Sequence, residues 1–97
     1  KLSLQQLINF VCENPVKIFG IKNKGFIKEN YDADFTIVDM NKKIIIKNED
    51  IESKCGWSPF DGYKFKGTPI YTIIAGDIKM QDGKIIGEPT GKPLSFK

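Results

Sequence analysis

Apolar residues near the start of the chain recur at helical spacing. Leu4, Leu7, Ile8, Val11 and Cys12 follow the i, i+3, i+4, i+7, i+8 rule, which makes one apolar helix face. Ser3 and Gln6 form an S-x-x-Q capping box ahead of that face, and Leu2 and Leu7 fit the accompanying hydrophobic staple. Asn14-Pro15 is expected to end this helix and start another, because Asn caps well and Pro is tolerated at the first helical position. The second helix is then a single turn, Val16 to Phe19, stopped by Gly20.

Beyond Gly20 the pattern changes to short β-branched runs between turn formers. Gly25 to Asn30 has turn chemistry at both ends. Phe35 to Asp39 reads as a strand, Asn41-Lys42 as a turn, and Ile44 to Ile46 as a second short strand. Gly56 to Gly62 is a loop of turn formers carrying two large aromatics. Ile70 to Ala75, Ile78 to Gln81 and Lys84 to Ile86 predict a three-stranded meander, with tight turns at Gly76-Asp77 and Asp82-Gly83. The tail from Gly87 to Phe96 reads as an irregular wrap with Leu94 and Phe96 tucked in. The fold class expected is therefore α+β, divided into a helical segment 1–20 and a β-rich segment 21–97.

Composition narrows the function classes. The chain has 97 residues, 40% of them apolar and 28% charged, which suits one small soluble domain with a single core. No apolar run approaches the ~20 residues that cross a bilayer. The chain does not begin with Met, which reads as a processed protein or a piece of something longer. It contains no histidine, so Ser-His and Cys-His catalysis and His-ligated metals are excluded for these residues. All 15 basic residues are lysine, and the net charge is only +3. Without arginine forks or a continuous basic stripe, the lysines read as solvated surface rather than a nucleic-acid or membrane contact. Cys12 and Cys55 cannot close a tetrahedral zinc site by themselves. They read as reduced, buried thiols of a cytoplasmic protein rather than as a disulfide or a nucleophile.

Three arrangements are candidates for chemistry. Asp32, Asp34 and Asp39 could hold a hard cation, but a calcium cage needs more oxygens and a central glycine, so Asp32 and Asp34, which flank a strand start, are expected to bond turn N–H groups. Trp57, Phe60, Tyr63 and Phe65 among Lys54, Lys64 and Lys66 could stack single-stranded nucleic acid. Their spacing follows turns rather than a strand face, which favours anchoring of a loop in the core. Gly62 to Gly67 lacks the Lys-Ser/Thr of a phosphate loop, since Thr68-Pro69 follows. The residues alone supply no catalytic, cofactor-binding or metal-binding set.

The order of the pieces carries more information. Glu13-Asn14-Pro15-Val16-Lys17-Ile18-Phe19-Gly20 followed by Lys24-Gly25-Phe26-Ile27-Lys28-Glu29-Asn30-Tyr31-Asp32-Ala33-Asp34-Phe35-Thr36-Ile37-Val38-Asp39 resembles the C-terminal passage of the cyclic amidohydrolases. There an E-N-P-A-x-x-x-G helix precedes G-x-I-x-x-G-x-D-A-D, a hydrophobic strand and a final D. Ser58 to Gly62, Lys66-Gly67, Ile74-Ala75-Gly76 and Gly91 to Phe96 are similar to the dihydroorotase branch of that family. Asn30 stands where the family has glycine, and Asn tolerates the positive φ of such a turn.

The resemblance implies a parent with a (β/α)8 barrel and a zinc site built from an H-x-H pair, a carboxylated lysine, two further histidines and an aspartate. None of these motifs occurs here. The chain is expected to supply the last barrel helix (1–20) and the C-terminal strands of a small β-sandwich beside the barrel (21–97). Catalytic, cofactor and metal residues are expected to be none, and zinc is implied only for the parent. The expected partner is the upstream barrel segment, with self-association of the isolated chain. Allantoinase or dihydropyrimidinase remains open as the parent activity, as does a self-standing interaction module built on the Trp57 to Phe65 loop.

Overall fold

In the computed structural model, which describes residues 1–97, the capping box forms as read. Ser3 N–H donates to Gln6 Oε1 at 2.9 Å, and Gln6 N–H donates to Ser3 Oγ at 3.1 Å. Helix α1 (Leu4–Ile8) then widens into a π turn (Asn9–Glu13) and continues as α2 (Asn14–Phe19). Backbone torsions at Ile8, Asn9, Glu13 and Asn14 are all right-handed helical, so this is one rod. The expected break at Asn14-Pro15 is therefore corrected. A proline inside a regular helix clashes with the carbonyl four residues earlier. The wider turn, in which Asn14 N–H reaches Asn9 O, gives the ring room and leaves Pro15 in the first turn of α2. Asn14 is consequently part of the helix and not its cap. Gly20, left-handed at φ 64°, stops the rod; its N–H and that of Ile21 both reach Val16 O.

The loop 21–34 folds back on the helix. Gly25 sits at φ +85°, and a Cβ placed there would lie 2.4 Å from Val16 Cγ2 and 2.8 Å from Cys12 O. Only glycine allows that approach. Lys17 Nζ stands 5.7 Å over the Phe26 ring, and Asp32 N–H closes the loop on Asn23 O at 2.9 Å. Asn30 takes φ 66°, the turn that the family's glycine would make.

Four antiparallel strands follow in the order β1-β2-β3-β4: Phe35–Ile45, Lys64–Ile74, Asp77–Gln81 and Lys84–Ile85. The two short strands expected around Asn41-Lys42 are one strand. Asp39 Oδ1 accepts from Asn41 N–H at 2.9 Å and Lys42 N–H at 3.2 Å, so the turn chemistry makes a bulge between Asp39 and Lys43 rather than a reversal. The meander appears as read, but the first turn is one residue earlier. Ile74 pairs with Asp77, leaving Ala75 (φ 50°) and Gly76 (φ 84°) as the turn. Asp82-Gly83 matches its expected position.

Strand register places Phe35, Ile37, Tyr71, Ile73 and Ile78 on one face, and Val38, Pro69, Ile74, Met80 and Ile85 on the other. Both faces are thus apolar, and neither meets the helix, which packs against no strand. The single core expected from composition is absent: no residue is buried. Leu94 and Phe96 are exposed rather than tucked in, although Phe96 bridges to Ile21. Accessible surface is 8161 Å², against about 5,600 Å² for a compact monomer of this mass. The radius of gyration is 15.4 Å, against about 12.5 Å for a compact chain of this length. The apolar helix face and sheet faces are separate surfaces.

Gly25→Ala should destabilise the fold by about 2–4 kcal/mol, combining left-handed strain with overpacking on Val16. Gly56→Ala, at φ +68° with nothing within 4 Å of a new Cβ, should cost only about 1 kcal/mol. Paired denaturant titrations check this; equal losses would show that Gly25 does not lock the loop to the helix.

Candidate functional site

The carboxylates named from the sequence are engaged in building the chain. Lys24 Nζ lies 2.9 Å from Asp32 Oδ2 and 2.5 Å from Asp34 Oδ2. The other oxygen of Asp34 accepts the Ala75 N–H at 2.9 Å, and Gly76 N–H reaches Ala33 O at 3.0 Å. The expectation that Asp32 and Asp34 bond turn N–H groups holds for Asp34 and is corrected for Asp32, whose carboxylate takes Lys24, while Asp39 bonds the N–H groups of its own bulge. Lys24 engages both acids of the Asp32–Asp34 pair.

Electrostatics follow from that contact. The Lys24 ammonium and then the Ala75 N–H hold the Asp34 carboxyl below the usual carboxylate range. The hydrogen bonds from Lys24 to Asp34 and then Asp32 hold the ammonium above its ordinary value. Because Asp34 is depressed in the folded state, its contribution is present above the unfolded carboxylate pKa and lost as pH falls through the folded one. Because Lys24 is raised, its contribution is present below the unfolded ammonium pKa and lost as pH rises through the folded one. The clasp is intact at every pH between.

The aromatic residues use their ring faces on one another. Phe60 meets Tyr63 edge-on at 5.7 Å and Phe65 at 6.5 Å, while Tyr63 stacks on Phe65 at 6.3 Å. This anchors the loop, but not in a core as expected, since Phe60, Tyr63 and Phe65 all remain exposed. Trp57 stands apart from the cluster and is 60% exposed. Lys64, Phe65 and Lys66 lie within β2, so the loop ends earlier than the turn spacing implied. Its shape comes from side chains whose roles the sequence did not disclose. Asn48 N–H donates to Asp61 Oδ1 at 2.8 Å, Ser58 N–H to Asn48 Oδ1 at 2.9 Å, and Phe60 N–H to Ser58 Oγ at 3.1 Å. Gly67 takes φ +97° inside β2, so from Lys64 to Gly67 the chain is strand rather than a phosphate-binding loop.

Both thiols are free. Cys12 is half-buried, whereas Cys55 is exposed, which corrects the expectation that both are buried. The Ser53 hydroxyl, 3.0 Å from Sγ, and then the Trp57 backbone hold the Cys55 thiol below its usual range. No base stands beside it to make a nucleophilic pair. An open cleft of 670 Å³ lies beside the end of β1, with Lys42, Lys47, Glu49 and Asp82 around it. Thr68 Oγ1 in its wall lacks a hydrogen-bond partner. The charges there are mixed in sign and do not converge on one point. No three His, Cys, Asp or Glu side chains come together as metal ligands, and no helix is long and apolar enough to cross a membrane.

Comparison with known proteins supplies what these side chains do not. The amidohydrolase family model matches residues 1–79. A dihydroorotase of Pyrococcus furiosus is 46% identical over 96 residues, which is 99% of this chain and 23% of that protein. An allantoinase of Desulfitobacterium hafniense is 38% identical over 94 residues, covering 97% of this chain and 21% of that protein. Among solved structures, the L-hydantoinase (dihydropyrimidinase) of Arthrobacter aurescens superposes with a TM-score of 0.84 at 33% identity, over 90% of this chain and 20% of that one. The chain thus spans only 20–23% of the length of these relatives. With the family model matched along the helix and most of the sheet, and dihydroorotases similar along nearly the whole length, the chain belongs to the amidohydrolase family as a dihydroorotase-like segment of it.

Proposed function

We propose that this chain is the C-terminal structural segment of a dihydroorotase, a cytoplasmic zinc hydrolase interconverting N-carbamoyl-L-aspartate and L-dihydroorotate in pyrimidine synthesis. The observation that carries the reading is the near end-to-end similarity to a dihydroorotase. The segment contributes the last helix of the barrel and the C-terminal strands of the adjoining β-sandwich. Its unpartnered apolar helix face and two apolar sheet faces are the surfaces that such a role requires.

Zinc does not fit the donors of this chain. Histidine is lacking, Asp32 and Asp34 already hold Lys24, and the two thiols have no further ligand gathered with them. Zinc, and the proton transfers around it, therefore belong to residues outside these 97. A second reading, in which the parent opens a different cyclic amide, is favoured by the allantoinase and hydantoinase likenesses. The substrate-reading residues that would separate these activities lie outside the chain.

The purified chain should bind no stoichiometric zinc and turn over no dihydroorotate. Co-expression with the coding region directly upstream should restore both, measured by elemental analysis and by ring closure of carbamoyl-aspartate. Restored turnover of allantoin or hydantoin instead would assign the other cyclic amide. Zinc bound and dihydroorotate hydrolysed by the chain alone would overturn the reading.

Alone, the chain should associate with itself. Burying Leu4, Leu7, Ile8 and Val11 is worth roughly 6–12 kcal/mol at about 1.5–3 kcal/mol each, comparable to the ~5–15 kcal/mol that stabilises a whole domain. Sedimentation equilibrium with hydrogen exchange tests this. A dilute monomer with strong protection throughout would favour a self-standing interaction module.

A further inference from the structure

We propose that the helix and the sheet are two bodies joined at a hinge, and that the Lys24–Asp34 contact is the latch setting the angle between them. The first body is the helical rod with residues 21–32 folded on it, the loop being closed by Asp32 N–H on Asn23 O. Gly25 lies against Cys12 and Val16, Lys17 covers Phe26, and Phe26 meets Tyr31 edge-on at 6.4 Å. The second body is the four-stranded sheet together with Ala33 and Asp34, which are bonded to its β2–β3 turn. No strand touches the rod, so their relative placement rests on what crosses between them.

Besides the chain itself at Asp32–Ala33, where Asp34 N–H donates to Asp32 O at 2.9 Å, two connections cross. One is Asp34, whose carboxylate is divided between the bodies. Oδ2 takes the ammonium of Lys24 on the helix side, and Oδ1 takes the Ala75 N–H at the β2–β3 turn. Gly76 N–H to Ala33 O reinforces the sheet side only. Ala75 is left-handed at φ 50°, a conformation alanine avoids, so this turn is held in a shape it would not choose freely. The second connection is the tail. Lys22 N–H donates to Ser95 O at 2.9 Å and Lys97 N–H to Gly20 O at 2.7 Å, while Lys79 Nζ holds Glu88 O at 2.9 Å on the sheet. The tail is a strap of main-chain bonds along a long irregular segment, which limits separation of the bodies but permits rotation. Asp34 is the connection that opposes rotation, because it alone joins a helix-side cation to a sheet-side N–H through one rigid carboxylate.

The latch can be cut on one side at a time. Lys24→Met removes the helix-side partner and leaves Asp34 on Ala75. Ala75→Gly relaxes the turn and keeps the backbone N–H at position 75 that Asp34 accepts. Nitroxides at Gln5→Cys and Lys84→Cys, in a Cys12→Ser and Cys55→Ser background, report the angle by electron–electron distance. Labelled chain is diluted into excess unlabelled chain, so that any association contributes no distance. The reference chain and Ala75→Gly should each give one narrow distribution. Lys24→Met should at least double its width, while amide protection of the β2–β3 hairpin stays within two-fold of the reference. A broad distribution in the reference chain, an unchanged width in Lys24→Met, or hairpin protection lost together with the distance would each overturn the proposal.

Discussion

Asp34 has only two oxygens, and the arrangement of the chain depends on where they go. One is bound by the ammonium of Lys24, which belongs to a loop locked onto the helix, and the other by a backbone N–H at the β2–β3 turn. A carboxylate serves here where an amide would not, since it accepts at both ends and donates at neither. The lysine also keeps the acid ionised, and so keeps both acceptors available. Asp32 strengthens the same cation without reaching the sheet. The local acidic motif thus becomes a connection between elements that do not otherwise pack.

That connection is polar and partly exposed, and it joins surfaces rather than burying them. The helix shows Leu4, Val11, Ile18 and Phe19 to solvent, and the sheet is apolar on both sides. A sheet with one polar face is finished when a single layer covers the other; one that is apolar on both faces needs a layer on each. Nothing in the 97 residues provides either layer. The long strand β1 is also an edge, its outer main-chain groups unpaired, although its bulge at Asp39 disturbs the regular repeat on which strand addition depends. The relatives that this chain resembles are several times its length.

Function follows from the same division. The polar side chains of this chain are engaged in holding its own loops and turns. Its loop of Ser58, Asp61 and Asn48 is rigid because side-chain oxygens accept backbone N–H groups, and its aromatics anchor that loop by packing on one another. Cys55 has a perturbed thiol but no base beside it.

Local signals were legible in the residues because they act over a few positions. The Ser3–Gln6 box, the helix face, the Gly20 stop and the Asp82-Gly83 turn each depend on atoms within one or two turns of chain. Family membership was legible because two motifs recur in order. The π turn was not, because a proline signals a break unless a neighbouring turn widens to admit it. Nor was the single β1 strand, since an Asx turn reads alike whether the chain reverses or bulges, and only the partner strand decides. The joining of Asp34 to Ala75, 41 positions apart, and the docking of Gly25 on Cys12 and Val16 depend on long-range geometry that no local pattern encodes. Composition suggested an enclosed core, because it counts apolar residues and is silent on whether their faces meet. The amino-acid sequence by itself determined the helical start, the β meander, the apolar helix face and the family. Tertiary structure decided that those faces point to different places, because the helix and the sheet are held by a carboxylate and a main-chain strap rather than by each other.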